Sequence, residues 1–252
     1  MARQSEPLME PPGDHRVPVL VTRPRAEAET FAATLTARFG PRVRPVVTPL
    51  IVPRLLSPTF PGHDHAAVVF TSAQGVEAAR RLDRHLPSLA WCVGRKTAAV
   101  ATAAGFQARS ADGDVNALAK AILQDPPKGR ILYLHGVDTH GNLQELLQSS
   151  GMDVDALALY RQDPQPLTAA ALSLLRAPGP LLVPLFSPRT AGLFRAALPP
   201  DAKAPLHVAV MSAAVAEALA DVPRAALAIA SRPDAPAMLD AVESLLAGLS
   251  AS

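Results

Sequence analysis

Two stretches of this chain occur twice in the same order. VLVTRPRAEAETFAATLTARFGPRVRPVV aligns with ILYLHGVDTHGNLQELLQSSGMDVDALALY, which sets Val19 against Ile131 at an offset of 112 residues. VVFTSAQGVEAA aligns with PLFSPRTAGLFR, setting Phe70 against Phe186 at an offset of 116, and LAWCVGRKTAAVATAAGF aligns with LHVAVMSAAVAEALADV near the same offset. A long, near-constant offset excludes a short-period solenoid and indicates a duplicated α/β domain. A chain of 252 residues accommodates two such domains. A cleft between two similar domains is the default place for a ligand in such a chain.

The repeated unit is a short apolar run, a polar tip and a helix. The run Ala66 to Phe70 is too short for a globular helix and fits a buried strand. Thr71 or Ser72 can cap the helix that follows to Leu82, because a side-chain oxygen accepts one of the free N–H groups of a first helical turn. In an open parallel sheet that tip lies at the carboxyl end of the strand, where anions meet helix N-termini. Further strands are expected at 17–21, 43–47, 89–94, 108–110, 130–136, 154–162, 181–186, 206–211 and 226–230. Helices are expected at 26–39, after Thr97 to Gly105, and at 115–123, 142–149, 189–198, 213–220 and 235–249. Pro45 has no N–H to donate, so its strand is expected at a sheet edge or to end early.

The composition narrows the function classes. A formal charge of +2 with only 4% aromatic residues argues against a nucleic-acid surface, which needs a basic face and rings for stacking. No apolar run approaches the roughly 20 residues that cross a bilayer, so no membrane partner is expected. Residues 1–16 lack the apolar stretch of a signal peptide and read as a disordered tail. The one cysteine, Cys92, excludes an internal disulfide and agrees with a reducing compartment; a cytoplasmic protein is expected.

Basic residues sit just beyond several strand ends: Arg23, Arg25, Arg95, Lys96, Arg161 and Arg189. Hydroxyls share those positions: Thr22, Thr71, Ser72, Thr97, Ser187 and Ser212. A hydroxyl is expected to cap each helix while free amides and an arginine fork remain for carboxylate or phosphate. Signatures of other chemistries are missing. Gly94-Arg95-Lys96-Thr97 lacks the upstream glycine of a P-loop, and no GxGxxG follows a strand. His63-Asp64-His65 lies in a Pro-Gly loop with no third ligand at useful spacing and reads as a solvated loop. His135 and His140 are weak metal candidates on the same grounds. Cys92 falls inside an apolar strand and reads as a core residue, not a nucleophile. Tyr160, beside Arg161 at a strand end, reads equally as a core or a cleft tyrosine.

TRP after the first strand, FTS, VGRKTA, LHG, LYRQ and FSP, taken in order from Val19 to Leu246, resemble the uroporphyrinogen-III synthase family. The resemblance implies two similar parallel-sheet α/β domains joined by a two-stranded linker, with the first strand–helix–strand unit packed with the C-terminal half. On that layout 17–47 and 167–250 form one domain, 57–157 the other, and 48–56 and 158–166 the linker. It implies a lyase that closes hydroxymethylbilane, a linear tetrapyrrole with eight carboxylates, while inverting the last pyrrole and losing water. No metal and no organic cofactor are implied. The family's tyrosine that assists loss of the hydroxyl falls on Tyr160, its serine on Ser72 and its glycine-and-threonine turn on Gly94 and Thr97; the LHG glycine is Gly136. Thr22, Arg23, Thr71, Ser187 and Ser212 complete the expected substrate contacts. The second copy of the turn departs from the pattern, with Ala214 and Val215 leaving Ser212 as the nearby hydroxyl. A monomer is expected, with a transient contact to the enzyme that supplies hydroxymethylbilane. The rival reading is a non-catalytic two-domain anion-binding module of the same fold. A flavodoxin-like regulatory domain lacks the aromatic residues expected around a flavin.

Overall fold

A computed structural model describes residues 16–138 and 141–250 of the chain; the tail expected over 1–16, up to residue 15, and His140 lie outside them. The described chain divides into two compact units, one made of the residues up to Val52 with those from Pro164 onward, the other of Pro53–Asp163. Each is built around a parallel sheet.

The sheet of the first unit comprises β1 (Val17–Val21), β2 (Val43–Val47), β9 (Leu181–Leu185), β10 (Leu206–Val210) and β11 (Ala226–Ile229), in the spatial order β11-β10-β9-β1-β2. Successive residues of β1 serve opposite faces, as the pleat requires. Leu20 packs with Val183, Phe194 and Val208, whereas Val19 and Val21 pack with Phe31, Leu35 and Val242. Burial on both faces explains the near-continuous apolar strands. Pro45 lies in register with Val19 on β2, an edge strand whose outer side asks no N–H of it. Helix α1 (Arg25–Phe39) presents Phe31, Leu35 and Phe39 to the sheet and ends at Gly40, whose φ of 53° suits a residue without a Cβ.

The sheet of the second unit holds β4 (Ala67–Phe70), β5 (Leu89–Cys92), β6 (Gln107–Ser110), β7 (Ile131–Gly136) and β8 (Val154–Pro164), with β3 (Ile51–Leu55) on the outer side of β8; β3 begins, and β8 ends, in residues of the first unit. Their order is β3-β8-β7-β4-β5-β6. If repeat partners are matched, β1 to β7, β2 to β8, β9 to β4 and β10 to β5, the two sheets have one and the same strand order, reached by different chain connections. β3 and β8 carry the chain out of and back into the first unit. They lie side by side, with the Leu56 N–H donating to Leu159 C=O at 2.8 Å and the Gln165 N–H to Leu50 C=O at 2.9 Å.

The helices are α2 (Ala73–Ala79), α3 (Arg95–Ala103), α4 (Val115–Gln124), α5 (Leu143–Ser149), α6 (Ala169–Arg176), α7 (Pro188–Ala197), α8 (Ala213–Glu217) and α9 (Ala235–Ser250). α2 and α8 stop short of the expected Leu82 and 220. α6 adds to the expected set. Its signal is local: the Thr168 hydroxyl accepts from the Ala171 N–H at 3.3 Å, and Ala171 and Leu175 are buried one turn apart.

Phe194 on α7 is fully buried among Leu20, Leu181 and Val208. Phe194→Ala leaves a cavity and is expected to cost about 3–5 kcal/mol, read as a lower denaturant midpoint at unchanged slope. A loss below about 1 kcal/mol would contradict this packing.

Candidate functional site

In each sheet the strand order changes direction once, and the crevice outside the carboxyl ends of the two strands flanking that point is where ligands bind in open α/β sheets. In the second unit these strands are β4 and β7. The β4 tip carries Thr71 and Ser72, and one tyrosine from each face of the sheet reaches it. Tyr133 packs with Ala67 and Val69, and its hydroxyl lies 3.3 Å from Thr71 Oγ1. Tyr160 packs with Val68 and Phe70, and its hydroxyl lies 2.7 Å from Ser72 Oγ. Ser72 also caps α2, accepting from the Gly75 N–H at 3.0 Å. Next to this pair the Gln162 amide donates to Gln74 Oε1 at 3.0 Å.

Tyr160 reaches Ser72 because β8 slips against β7. The parallel register runs from Ile131 opposite Val154 to His135 opposite Ala158, then sets Gly136 opposite Tyr160. The extra residue is Leu159, a bulge that re-aims the side chains beyond it. Past the bulge the Val137 N–H donates to Tyr160 C=O at 2.8 Å. The Tyr160 ring then lies directly on Gly136: a Cβ there would sit 2.6 Å from Cζ and 2.9 Å from the hydroxyl. Tyr160 is 8% exposed. Burial raises its hydroxyl pKa, the Ser72 hydrogen bond lowers it, and the charge of Asp138 raises it further, for a net upward shift. Burial raises the Tyr133 pKa in the same way, against the Thr71 bond, with Tyr160 adding to the rise. Both phenols are therefore protonated donors at neutral pH.

β5 ends beside β4, its next residue Val93 donating from N–H to Phe70 C=O at 3.2 Å. Gly94 forms the cap position of α3 with its C=O accepting from the Ala98 N–H at 3.0 Å, and Thr97 is buried in the first turn. In the first unit the corresponding strands are β1 and β9. Thr22, just past β1, is 1% exposed, and its hydroxyl has no hydrogen-bond partner among the described residues. The Arg23 guanidinium stacks 4.3 Å from the Phe186 ring centroid. Burial lowers its pKa more than Glu27 raises it. Ser187 caps α7 by accepting from the Thr190 N–H at 3.2 Å. Thr71, Ser72, Gly136 and Tyr160 are thus brought together in the second unit, with the Gly94 turn on the neighbouring strand, and Thr22, Arg23 and Ser187 sit at the strand tips of the first.

Three expectations need correction. A hydroxyl does not cap every helix: of the six, only Ser72 and Ser187 do so, while Ser212 holds the cap position of α8 without a side-chain bond and Thr71 is turned to Tyr133. The arginine fork is largely engaged, because Arg95 pairs with Asp112 at 2.8 Å, Arg161 with Asp163 at 2.7 Å and Arg25 with Glu29 at 3.4 Å. His63 and His65 do have a third donor nearby, Asp155, which spacing along the chain could not reveal because it comes from β8. Cys92 is buried as expected, with its thiol pushed up to about 11 by burial, and is no nucleophile. Sequence reasoning misses Tyr133. Its only signal is its position two residues before His135 on the strand that meets β4.

The family model for Uroporphyrinogen-III synthase HemD matches residues 30–240. Uroporphyrinogen-III synthetase from Helicobacter pylori 26695 has a similar structure, with a TM-score of 0.63 at 17% identity over 91% of this chain and 99% of that one. A mutant uroporphyrinogen III synthase from the extremely thermophilic bacterium Thermus thermophilus gives a TM-score of 0.50 at 19% identity over 92% and 99%. At such identities the two structures speak to the fold. No curated protein is a significant match.

Gly136 and Gly94 make a test of the site's packing. Gly136→Ala places a methyl inside the Tyr160 ring and is expected to cost about 1–3 kcal/mol by overpacking. By displacing the ring it should also bring one tyrosine back towards its ordinary pKa in a spectrophotometric titration. A Cβ at Gly94 meets nothing within 4 Å, so Gly94→Ala should cost no more than about 1 kcal/mol, the difference between glycine and alanine at a helix cap position. Equal stabilities for the two variants would contradict the close contact.

Proposed function

The chain belongs to the uroporphyrinogen-III synthase family, and from that premise we propose that its chemistry runs at the β4 tip of the second unit, with Tyr160 and Ser72 as the working pair. The family reaction is that of a lyase in tetrapyrrole biosynthesis: hydroxymethylbilane loses its hydroxyl as water and closes to uroporphyrinogen III with the last pyrrole inverted. The observation that carries the assignment of the pair is the 2.7 Å bond between two hydroxyls at the switch point, one of them a phenol whose pKa is raised by burial.

The step asked of the protein is modest. The hydroxymethyl C–O bond breaks with its electrons going to oxygen, and that oxygen takes a proton and leaves as water. The cation left on carbon is stabilised by the pyrrole nitrogen. Tyr160 supplies the hydrogen bond or the proton, while Ser72, anchored by the Gly75 N–H, donates its own hydrogen to the phenol oxygen as charge grows there. The substituted carbon of the last pyrrole attacks to give a spiro intermediate, which reopens and recloses in the inverted sense. The proton lost from the closing ring carbon returns to the phenol, so the protein ends as it began.

The substrate brings eight carboxylates, and folding it is the larger share of the work. Thr71, Gly94, Thr97 and Gly136 of the second unit are assigned to substrate contacts, Gly136 through the room it makes for the ring. Thr22, Arg23, Ser187 and Ser212 of the first unit are assigned to further carboxylates. The unpartnered Thr22 hydroxyl and the Arg23 charge support the first two, and the bare cap position at Ser212 makes it the weakest contact. The reading extends to a cytoplasmic monomer that meets hydroxymethylbilane synthase transiently. Among the described residues no helix is long and apolar enough to cross a membrane.

The function is tested by supplying hydroxymethylbilane and separating the products: the type III ring should form faster than the spontaneous type I ring. Failure to change that ratio would overturn the reading. Tyr160→Phe is expected to lower kcat on the order of a hundredfold with little change in KM, leaving activity above background because substrate folding persists. Since the Tyr160 pKa is raised, the hydroxyl should stay protonated below its unfolded value of about 10. The kcat ratio of parent to variant should therefore be constant between about pH 6 and 9. A ratio that changes there, or unchanged turnover, would remove Tyr160 from the chemistry.

A further inference from the structure

The second unit carries another cluster at the amino-terminal end of its sheet, away from the β4 tip. Asp155 is the second residue of β8 and lies five residues before Tyr160, about 16 Å along the strand. Its Oδ2 is 2.7 Å from His63 Nε2 and 2.9 Å from His65 Nε2. All three donor atoms lie within 4.8 Å of one another. The two imidazole rings are 5.1 Å apart and tilted by 46°. The loop that supplies them is anchored just beyond, where the Ala66 N–H donates to Arg130 C=O at 2.8 Å. His65 is almost wholly buried, with its side chain 6% exposed, while that of His63 is 43% exposed. His63 and His65 also line a cavity of about 300 Å³ whose wall includes His85, Arg84 and Asp64.

We propose that His63, His65 and Asp155 form a binding site for a divalent metal of the zinc class, which clips the loop before β4 to strand β8. Two imidazole nitrogens and a carboxylate oxygen are a donor set that borderline ions favour over the all-oxygen set of magnesium or calcium. Their convergence on one oxygen means that, without metal, both rings must present an Nε2–H to the same acceptor. A metal takes the place of both hydrogens and lets each ring offer its lone pair, the proton moving to Nδ1. Bond lengths of about 2.0–2.1 Å in tetrahedral geometry set donors about 3.3 Å apart, so the two nitrogen–oxygen distances need open by only about half an ångström while the two nitrogens, within 4.8 Å of each other, draw together, a shift the exposed His63 can supply. Water completes the coordination, since His85 lines the same cavity but does not belong to the group of converging donors. Arg130 opposes the ion, its Nη1 lying 3.8 Å from Asp155 Oδ2, but it is shared with Asp153 at 3.6 Å. The donors are 92 and 90 residues apart in sequence, so metal bound to the folded chain and not to the unfolded one stabilises the unit by mass action.

The test is a titration of the full chain, stripped with a chelator, using Co²⁺ as a spectroscopic probe and Zn²⁺ as its competitor. One equivalent of Co²⁺ should bind with visible ligand-field bands of a four- or five-coordinate N/O site, be displaced by Zn²⁺, and raise the thermal midpoint. His63→Ala removes an exposed donor and should keep the fold. It should weaken Co²⁺ binding by more than about fivefold, as should Asp155→Asn. Absence of saturable binding, or a loss of less than about fivefold in His63→Ala, would overturn the proposal.

Discussion

The hydrogen bond between Ser72 and Tyr160 depends on three features that are far apart in sequence. The Ser72 hydroxyl is held by its cap bond to Gly75, so its direction is set by the junction of β4 and α2. The Tyr160 ring is aimed by a one-residue slip of β8 against β7, and it fits only because Gly136 has no side chain. If the slip were removed, alternation along β8 would turn the ring to the other face of the sheet. If a methyl were added at Gly136, ring and strand could not both stay in place. The burial that raises the pKa of the phenol is the consequence of that fit.

Both units have the same strand order, and in both the polar tips fall where that order changes direction. The chemistry proposed for the second unit has no counterpart in the first, and the difference can be traced to side chains. Where β4 presents Thr71 and Ser72 to two tyrosines, β9 is followed by Phe186 and Ser187, and Phe186 supports the Arg23 guanidinium. The first unit offers a half-buried cation and a hydroxyl without a partner among the described residues, groups suited to holding a carboxylate. The second offers a proton donor. The two frames are similar, and a few residues at the strand tips set them apart.

Much of this was legible in the chain. The offset between Val19 and Ile131 and between Phe70 and Phe186 exposed the duplication, because buried parallel strands leave short apolar runs that align without gaps. Pro45 marked an edge strand through its missing N–H. The motif order carried the family, and the family model over residues 30–240 bears it out. What could not be read is three-dimensional. The pairing of Arg95 with Asp112 and of Arg161 with Asp163 depends on loop paths and takes away charges that strand-end position alone leaves available. Asp155 completes a cluster with His63 and His65 only because β8 returns beside the entry to β4. Tyr160 and Arg161 read as strand-end residues, but β8 runs on to Pro164 and places both inside the strand, and the bulge at Leu159 and the contact with Gly136 are properties of register. α6 is legible from Thr168 and the Ala171–Leu175 spacing, a signal masked by the proline-rich crossing beside it.

The central claim is that Ser72 and Tyr160 act as one unit in loss of the hydroxyl. A double-mutant cycle on the rate of type III ring formation with Ser72→Ala, Tyr160→Phe and the double variant measures it directly. Groups that share one proton path lose their function together, so the double variant should be no slower than Tyr160→Phe by more than about twofold, a coupling within the roughly 0.5–3 kcal/mol seen for residues in contact. If the two single losses instead multiply in the double variant, the hydroxyls act independently and the 2.7 Å bond between them has no part in the reaction.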